Sequence, residues 1–252
     1  MAIVSALAQE QHGLIGHLRN PRKAVHAGRD FWLGALHGVS VVLALSRIGK
    51  VAAATTATAL IAHFGARQIV FTGVAGGLGA TVNVGDVIVA TQFMQHDLDA
   101  SPLFPRYQVP LYGKTRFDCD AQLTDLLYLA ACAALADSAK ADQATGAAHP
   151  FPQARVHRGL MASGDRFVCG AGESRLLKDS LADAGHEVLA VEMEGAAVAQ
   201  VCLDYGVPFA AVRTVSDRAD DSAHLDFPGF IDEVAGRYAR EIIGRFMGLL
   251  LK

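Results

Sequence analysis

Gln68-Ile69-Val70-Phe71-Thr72-Gly73-Val74-Ala75-Gly76-Gly77-Leu78 is the stretch on which the fold turns. Its first half is a short apolar, β-branched run, the pattern of a strand buried on both faces. Its second half is glycine-rich, as at a tight strand-to-loop turn or where backbone amides approach a ligand. It matches neither G-x-G-x-x-G nor the Gly-Lys-Ser/Thr ending of a nucleotide-triphosphate loop, so nicotinamide cofactors and triphosphates have no sequence support. Working outward, similar runs recur at Ile3–Leu7, Arg29–Leu36, Val39–Leu45, Val84–Ala90, His157–Met161, Glu187–Val191 and Phe209–Val215. Between them, Glu10–Leu18, Lys50–Phe64, Thr124–Ala136, Gly195–Asp204 and Phe230–Leu251 carry helical character. Apolar strands alternating with helices predict an α/β fold. We expect a single three-layer domain over residues 1–252, with a mixed, mainly parallel twisted sheet flanked by helices. The stretch 138–154, rich in Ala, Asp, Gln and Pro, reads as a surface loop.

Composition narrows the function. The 252 residues are 52% hydrophobic and 19% charged, which argues against disorder. A net charge of −3 offers no basic face for nucleic acid. Mean hydropathy is +0.28, yet no apolar run approaches the roughly 20 residues of a spanning helix. The first residues lack the basic region of a signal peptide. Cys119, Cys132, Cys169 and Cys202 form no C-x-x-C pair, so neither a zinc site nor a disulfide scaffold is expected. We expect a cytoplasmic protein with no membrane, nucleic-acid, metal or cofactor partner, acting on a small molecule.

Several strand ends carry acids. Val191-Glu192-Met193-Glu194-Gly195 places two carboxylates where a buried strand meets a helix. They are an acidic first turn, or carboxylates in the cleft where open α/β sheets bind ligands, suited to accept hydrogen bonds from a vicinal diol. Val212-Arg213-Thr214-Val215-Ser216-Asp217 ends a strand on an Asp that reads as a turn residue or as a proton donor. Glu10 follows the first strand and, alone, is a solvated helix-start residue. His96-Asp97-Leu98-Asp99 has too few ligands for a metal and reads as a hydrogen-bond network.

The order of these segments is more telling than any one of them. With Ser46-Arg47-Ile48-Gly49-Lys50-Val51-Ala52-Ala53-Ala54, Val84-Gly85-Asp86-Val87, Ser163-Gly164-Asp165-Arg166-Phe167-Val168 and His224-Leu225-Asp226-Phe227, the chain resembles the 5′-methylthioadenosine/S-adenosylhomocysteine nucleosidases of the nucleoside phosphorylase superfamily over nearly its whole length. The resemblance implies a nucleoside phosphorylase-like fold, a homodimer, and hydrolysis of the N-glycosidic bond of a 5′-substituted adenosine, with water as co-substrate and adenine as product. It implies that Glu10 activates water and that Glu194, helped by Met193, accepts the ribose diol. Arg213 would hold Glu194 and the water site. Asp217, steadied by Ser216, would protonate the leaving purine. Phe167 would stack on the base and the backbone of Val168 read its edge. Ile48 and Phe227 would line the ribose and its 5′ group, and Val74, Ala75, Gly76 and Glu192 complete the substrate contacts.

The chain departs from that pattern at Leu7, where relatives carry Met, at Val74, where Ser is common, and at Arg47, where a small residue is usual. It departs also in the proline- and aromatic-rich run 100–107, which in relatives reaches the partner's 5′ pocket, and in the length of 138–154. Two alternatives stand beside hydrolysis: phosphorolysis, with Arg47 and Arg213 on a phosphate, and a nucleoside-binding protein without turnover. The loop Ala6–His12 has no Arg or Lys and carries Glu10, which would repel a phosphate dianion and so favours water.

Overall fold

The computed structural model describes residues 1–11, 13–145, 151, 153–220, 223 and 229–251. Ten strands run β1 Ala2–Ser5, β2 Arg19–His26, β3 Arg29–Leu36, β4 Val39–Leu45, β5 Ile69–Gly77, β6 Val87–Gln95, β7 Arg116–Asp118, β8 Val156–Ser163, β9 Val188–Glu192 and β10 Phe209–Asp217. Helices among the described residues include α1 Lys50–Ala62, α2 Ala121–Thr145, α3 Ala171–Asp183, α4 Gly195–Tyr205 and α5 Gly236–Leu249.

The sheet is mixed and its centre is β5. Parallel ladders join β5 to β1 and to β10, and parallel ladders also join β1 to β4, β6 to β8 and β8 to β9. The antiparallel ladders are the β2–β3–β4 meander at one edge, β7 on β6, and the pairs β10–β6 and β5–β9. The two larger of three apolar clusters among the described residues join helices to the sheet. One packs Ala53, Ala57 and Leu60 of α1 and Ala196, Val198 and Cys202 of α4 against Phe71 and Ile88. The other packs Leu123 and Leu127 of α2 and Tyr238, Ile242 and Phe246 of α5 against Ile3, Val70 and Val212. Sheet and helices thus form the expected layers.

Four local expectations are corrected. Glu10–Leu18 is not one helix but two short 3₁₀ turns, Gln9–Gln11 and Ile15–His17. The glycine-rich segment is not a loop, because β5 runs straight through it to Gly77. The stretch 138–154 does not begin as a loop, because α2 continues to Thr145. The terminal helix opens with a π-helical turn, Ile231–Ala235, before α5.

Candidate active site

Acids at or just beyond the ends of β1, β9 and β10 meet over β5. A cavity of about 420 Å³ is lined by Glu10 after β1, by Val74, Ala75 and Gly76 of β5, by Glu192, Met193 and Glu194 after β9, and by Ser216 and Asp217 of β10. Ile48 and Phe167 stand at its mouth, 55% and 41% exposed. Ala6, Leu7 and Val191 complete the wall; sequence reading gave Ala6 and Val191 no role, and apolar residues this small send no signal by type. Val168 lies in a narrow adjoining recess that shares Gly76, Phe167, Met193 and Asp217 with the cavity. Phe227 falls outside the described residues.

Glu10 is held by backbone alone. Its Oε2 accepts from the amides of Ala6 at 2.7 Å and Leu7 at 2.8 Å, and its Oε1 from Val74 at 3.2 Å. A Cβ at residue 73 would lie 2.9 Å from Glu10 Oε1, so Gly73 is the space in which this carboxylate sits. Burial raises the Glu10 carboxyl above its usual range, against the pull of Arg213 and of the three amides. Asp217 is seated the same way. Its Oδ2 accepts from Ser216 Oγ at 2.7 Å and its Oδ1 from the Ala219 amide at 2.8 Å, and a Cβ at Gly76 would lie 2.9 Å from Oδ1. The register of β10 against β5 shifts between Val215 and Asp217, at the residue that carries this side chain. The glycines of β5 therefore make room for two acids rather than cradle a phosphate. Gly73 and Gly76 lie three residues apart, roughly 10 Å along a strand.

The two glutamates at the end of β9 are unlike each other. Glu192 is fully bonded: Arg213 Nη2 donates at 2.7 Å, Gly195 N to both oxygens at 2.9 Å, Glu194 N at 3.2 Å, and Ser163 Oγ through a short hydrogen bond. Arg213 is 1% exposed and lies 4.0 Å over the Phe71 ring. The arginine expected on Glu194 is thus paired with Glu192, which also satisfies the first amides of α4. Ser163 Oγ accepts from Ala196 N at 2.7 Å and completes that cap, a role its place in the sequence did not announce. Glu194 Oε1 accepts from Gly49 N at 2.8 Å, and Gly49 turns that amide inward at φ +97°. Burial, then the charge of Glu192, push the Glu194 carboxyl up to about 8. A carboxyl that keeps its proton donates to one hydroxyl of a diol while accepting from the other.

In the His96-Asp97-Leu98-Asp99 segment only Asp97 joins the hydrogen-bond network expected there, while His96 Nε2 is buried with no hydrogen-bond partner. Lys50 Nζ reaches Asp97 at 2.5 Å and Gln95 Oε1 at 3.0 Å, and Asp97 accepts from Asp165 N at 2.8 Å. Among the described residues, no group of three or more His, Cys, Asp or Glu is placed to hold a metal ion, and no helix is long and apolar enough to cross a membrane.

The phosphorylase superfamily pattern matches residues 1–247. The chain is 34% identical to the 5′-methylthioadenosine/S-adenosylhomocysteine nucleosidase of Chromohalobacter salexigens, over 93% of this chain and 91% of that one. It is equally identical to the nucleosidase of the same name from Actinobacillus succinogenes, over 97% and 96%. The crystal structure of the Neisseria meningitidis nucleosidase in complex with methylthio-immucillin-A superposes with a TM-score of 0.81 at 34% identity, covering 97% of this chain and 96% of that one.

Proposed function

The chain belongs to the phosphorylase superfamily, and from that premise we propose that it hydrolyses the N-glycosidic bond of a 5′-substituted adenosine and releases adenine. The observation that carries this reading is the seating of Glu10 and Asp217 against Gly73 and Gly76 of the same strand, β5, with both acids lining one cavity.

Breaking the bond from sugar to purine leaves an oxocarbenium-like sugar and an electron-rich ring. Asp217 protonates the ring as it leaves, with Ser216 fixing the carboxyl. Glu10 takes a proton from the attacking water. Its three amide donors keep it oriented, and Arg213, through its charge, draws it toward the ionised form the base needs. Glu194 holds the diol. Glu192 and Arg213 are positioning residues, since they fix the strand end and helix that carry Glu194. Phe167 stacks on the base and the Val168 backbone meets its edge.

The same geometry disfavours phosphorolysis. Arg213 is engaged with Glu192, and Glu10 occupies the water side. The reading also includes one domain over 1–252 and a cytoplasmic homodimer. The surface for the second copy is the 96–107 region, where Leu103 is 85% exposed.

The test is adenine release from 5′-methylthioadenosine without phosphate. The expected products are adenine and the free sugar. A requirement for phosphate with a sugar 1-phosphate product overturns hydrolysis, and tight binding without product supports a sensor.

A further inference from the structure

A second cavity, of about 560 Å³, adjoins the first and shares Ala6, Leu7 and Ile48 with it. Those residues border the sugar acids: the Leu7 amide binds Glu10, and Ile48 precedes the Gly49 amide that binds Glu194. On the nucleosidase reading, with the base at Asp217 and the diol at Glu194, this shared wall is the side left for C5′.

The far wall is cationic. Arg29 comes from the start of β3, just after the Ala27-Gly28 turn, and Arg47 from the loop before α1. Arg47 Nη2 donates to Gly28 O at 2.5 Å, which ties that loop to the hairpin tip. Arg47 sits at φ +66°, a backbone state that disfavours a side chain. Arg29 donates to Ala27 O at 3.2 Å and Ala52 O at 3.4 Å, while its Nε is buried with no hydrogen-bond partner. Among the described residues neither guanidinium pairs with a carboxylate. The acid in the same wall, Asp30, is 2.7 Å from Lys23. Burial, then the nearby charge of Arg47, lowers the pKa of Arg29. Apolar surface from Leu7, Ile15 and Trp32 leads to them.

We propose that this cavity is the compartment for the 5′ substituent, and that it selects a substituent with an apolar stem ending in a carboxylate held between Arg29 and Arg47. The inference rests on the nucleosidase reading above and narrows its substrate. A planar carboxylate matches the guanidinium fork and satisfies the orphaned Nε. An ammonium group on the same stem meets two positive charges.

The experiment compares three adenosines with 5′-thioether stems of equal length, ending in methyl, carboxylate and ammonium. In the parent protein, kcat/KM for the carboxylate exceeds that for the methyl compound by about 10–100-fold, the range of a charge-assisted pair. The ammonium compound is the poorest, and the differences shrink with added salt. In Arg47→Gln and Arg29→Gln the carboxylate-to-methyl ratio falls toward one; Arg→Lys at either position keeps part of it, and Arg47→Glu moves preference toward ammonium. A parent ratio near one, or a ratio unmoved by these substitutions, overturns the proposal. So does phosphate-dependent formation of a sugar 1-phosphate that Arg47→Gln abolishes, which makes the cavity a free-phosphate site. If none of the three compounds releases adenine, the nucleosidase reading fails instead. Calorimetric binding of the same compounds to Asp217→Asn then still reads the charge preference.

Discussion

The floor of the site and its rim handle charge in opposite ways. On the floor, Glu10, Glu192, Glu194, Arg213 and Asp217 are 1–8% exposed, and neighbouring backbone and side chains supply their partners. On the rim, the β2–β3 hairpin carries its charges half in water: Lys23 and Asp30 pair with side chains 45% and 51% exposed. A dehydrated charge is held by bonds that cannot be replaced by solvent, so each one matters. A hydrated charge exchanges its partner for water at little cost. Reactive groups therefore belong on the floor and discrimination on the rim, where change is tolerated.

The largest effect that tests this contrast is loss of the two reactive acids. Asp217→Asn and Glu10→Gln each lower kcat for adenine release by about 10²–10⁴-fold, measured against retained circular dichroism. Near-full activity in either removes the assigned role. Next come the voids that seat them. Gly73→Ala drives a methyl into Glu10 and costs about 10²-fold in kcat/KM by displacing the base, with about 1–3 kcal/mol of stability, read from steady-state kinetics and urea melts. An active Gly73→Ala variant would show that the glycine serves only the strand. Glu192→Gln strands the buried Arg213 and lowers stability by about 3–5 kcal/mol, whereas a paired apolar replacement of both residues recovers much of it. The pH profile sharpens the point. Because the Glu10 carboxyl is raised above 4.5 and the base role proposed for it needs the ionised form, kcat/KM is expected to fall as pH drops through a midpoint above that value. The smallest effect is on the rim: Lys23→Ala shifts stability by at most about 1 kcal/mol, and a larger loss would erase the distinction between floor and rim.

The inner strands were legible because burial on both faces writes itself as apolar runs, as in Val70-Phe71 and Phe209–Val212. β2 was not, since Arg19-Asn20-Pro21-Arg22-Lys23 is an exposed edge whose pairing comes from β3 alone. The length of β5 was hidden by its glycines, which depress strand propensity but are demanded by side chains 63 and 141 residues away, at positions 10 and 217. The acids were recognisable as a set through resemblance. Which glutamate Arg213 joins was not, because both sit at one junction and only the cap of α4 decides between them. The Arg29 cavity needed the fold, since its arginines lie 18 residues apart and share no motif.

One further consequence lies in β5 as the common partner of β1, β9 and β10. All the acids hang from strands laddered to it, so the catalytic arrangement has no hinge of its own. Amide hydrogens of residues 70–76 are expected to exchange only through global opening, while those of the hairpin exchange through local fraying. Enzymatic turnover on heating is then lost together with the sheet itself, with no softened, inactive intermediate in between.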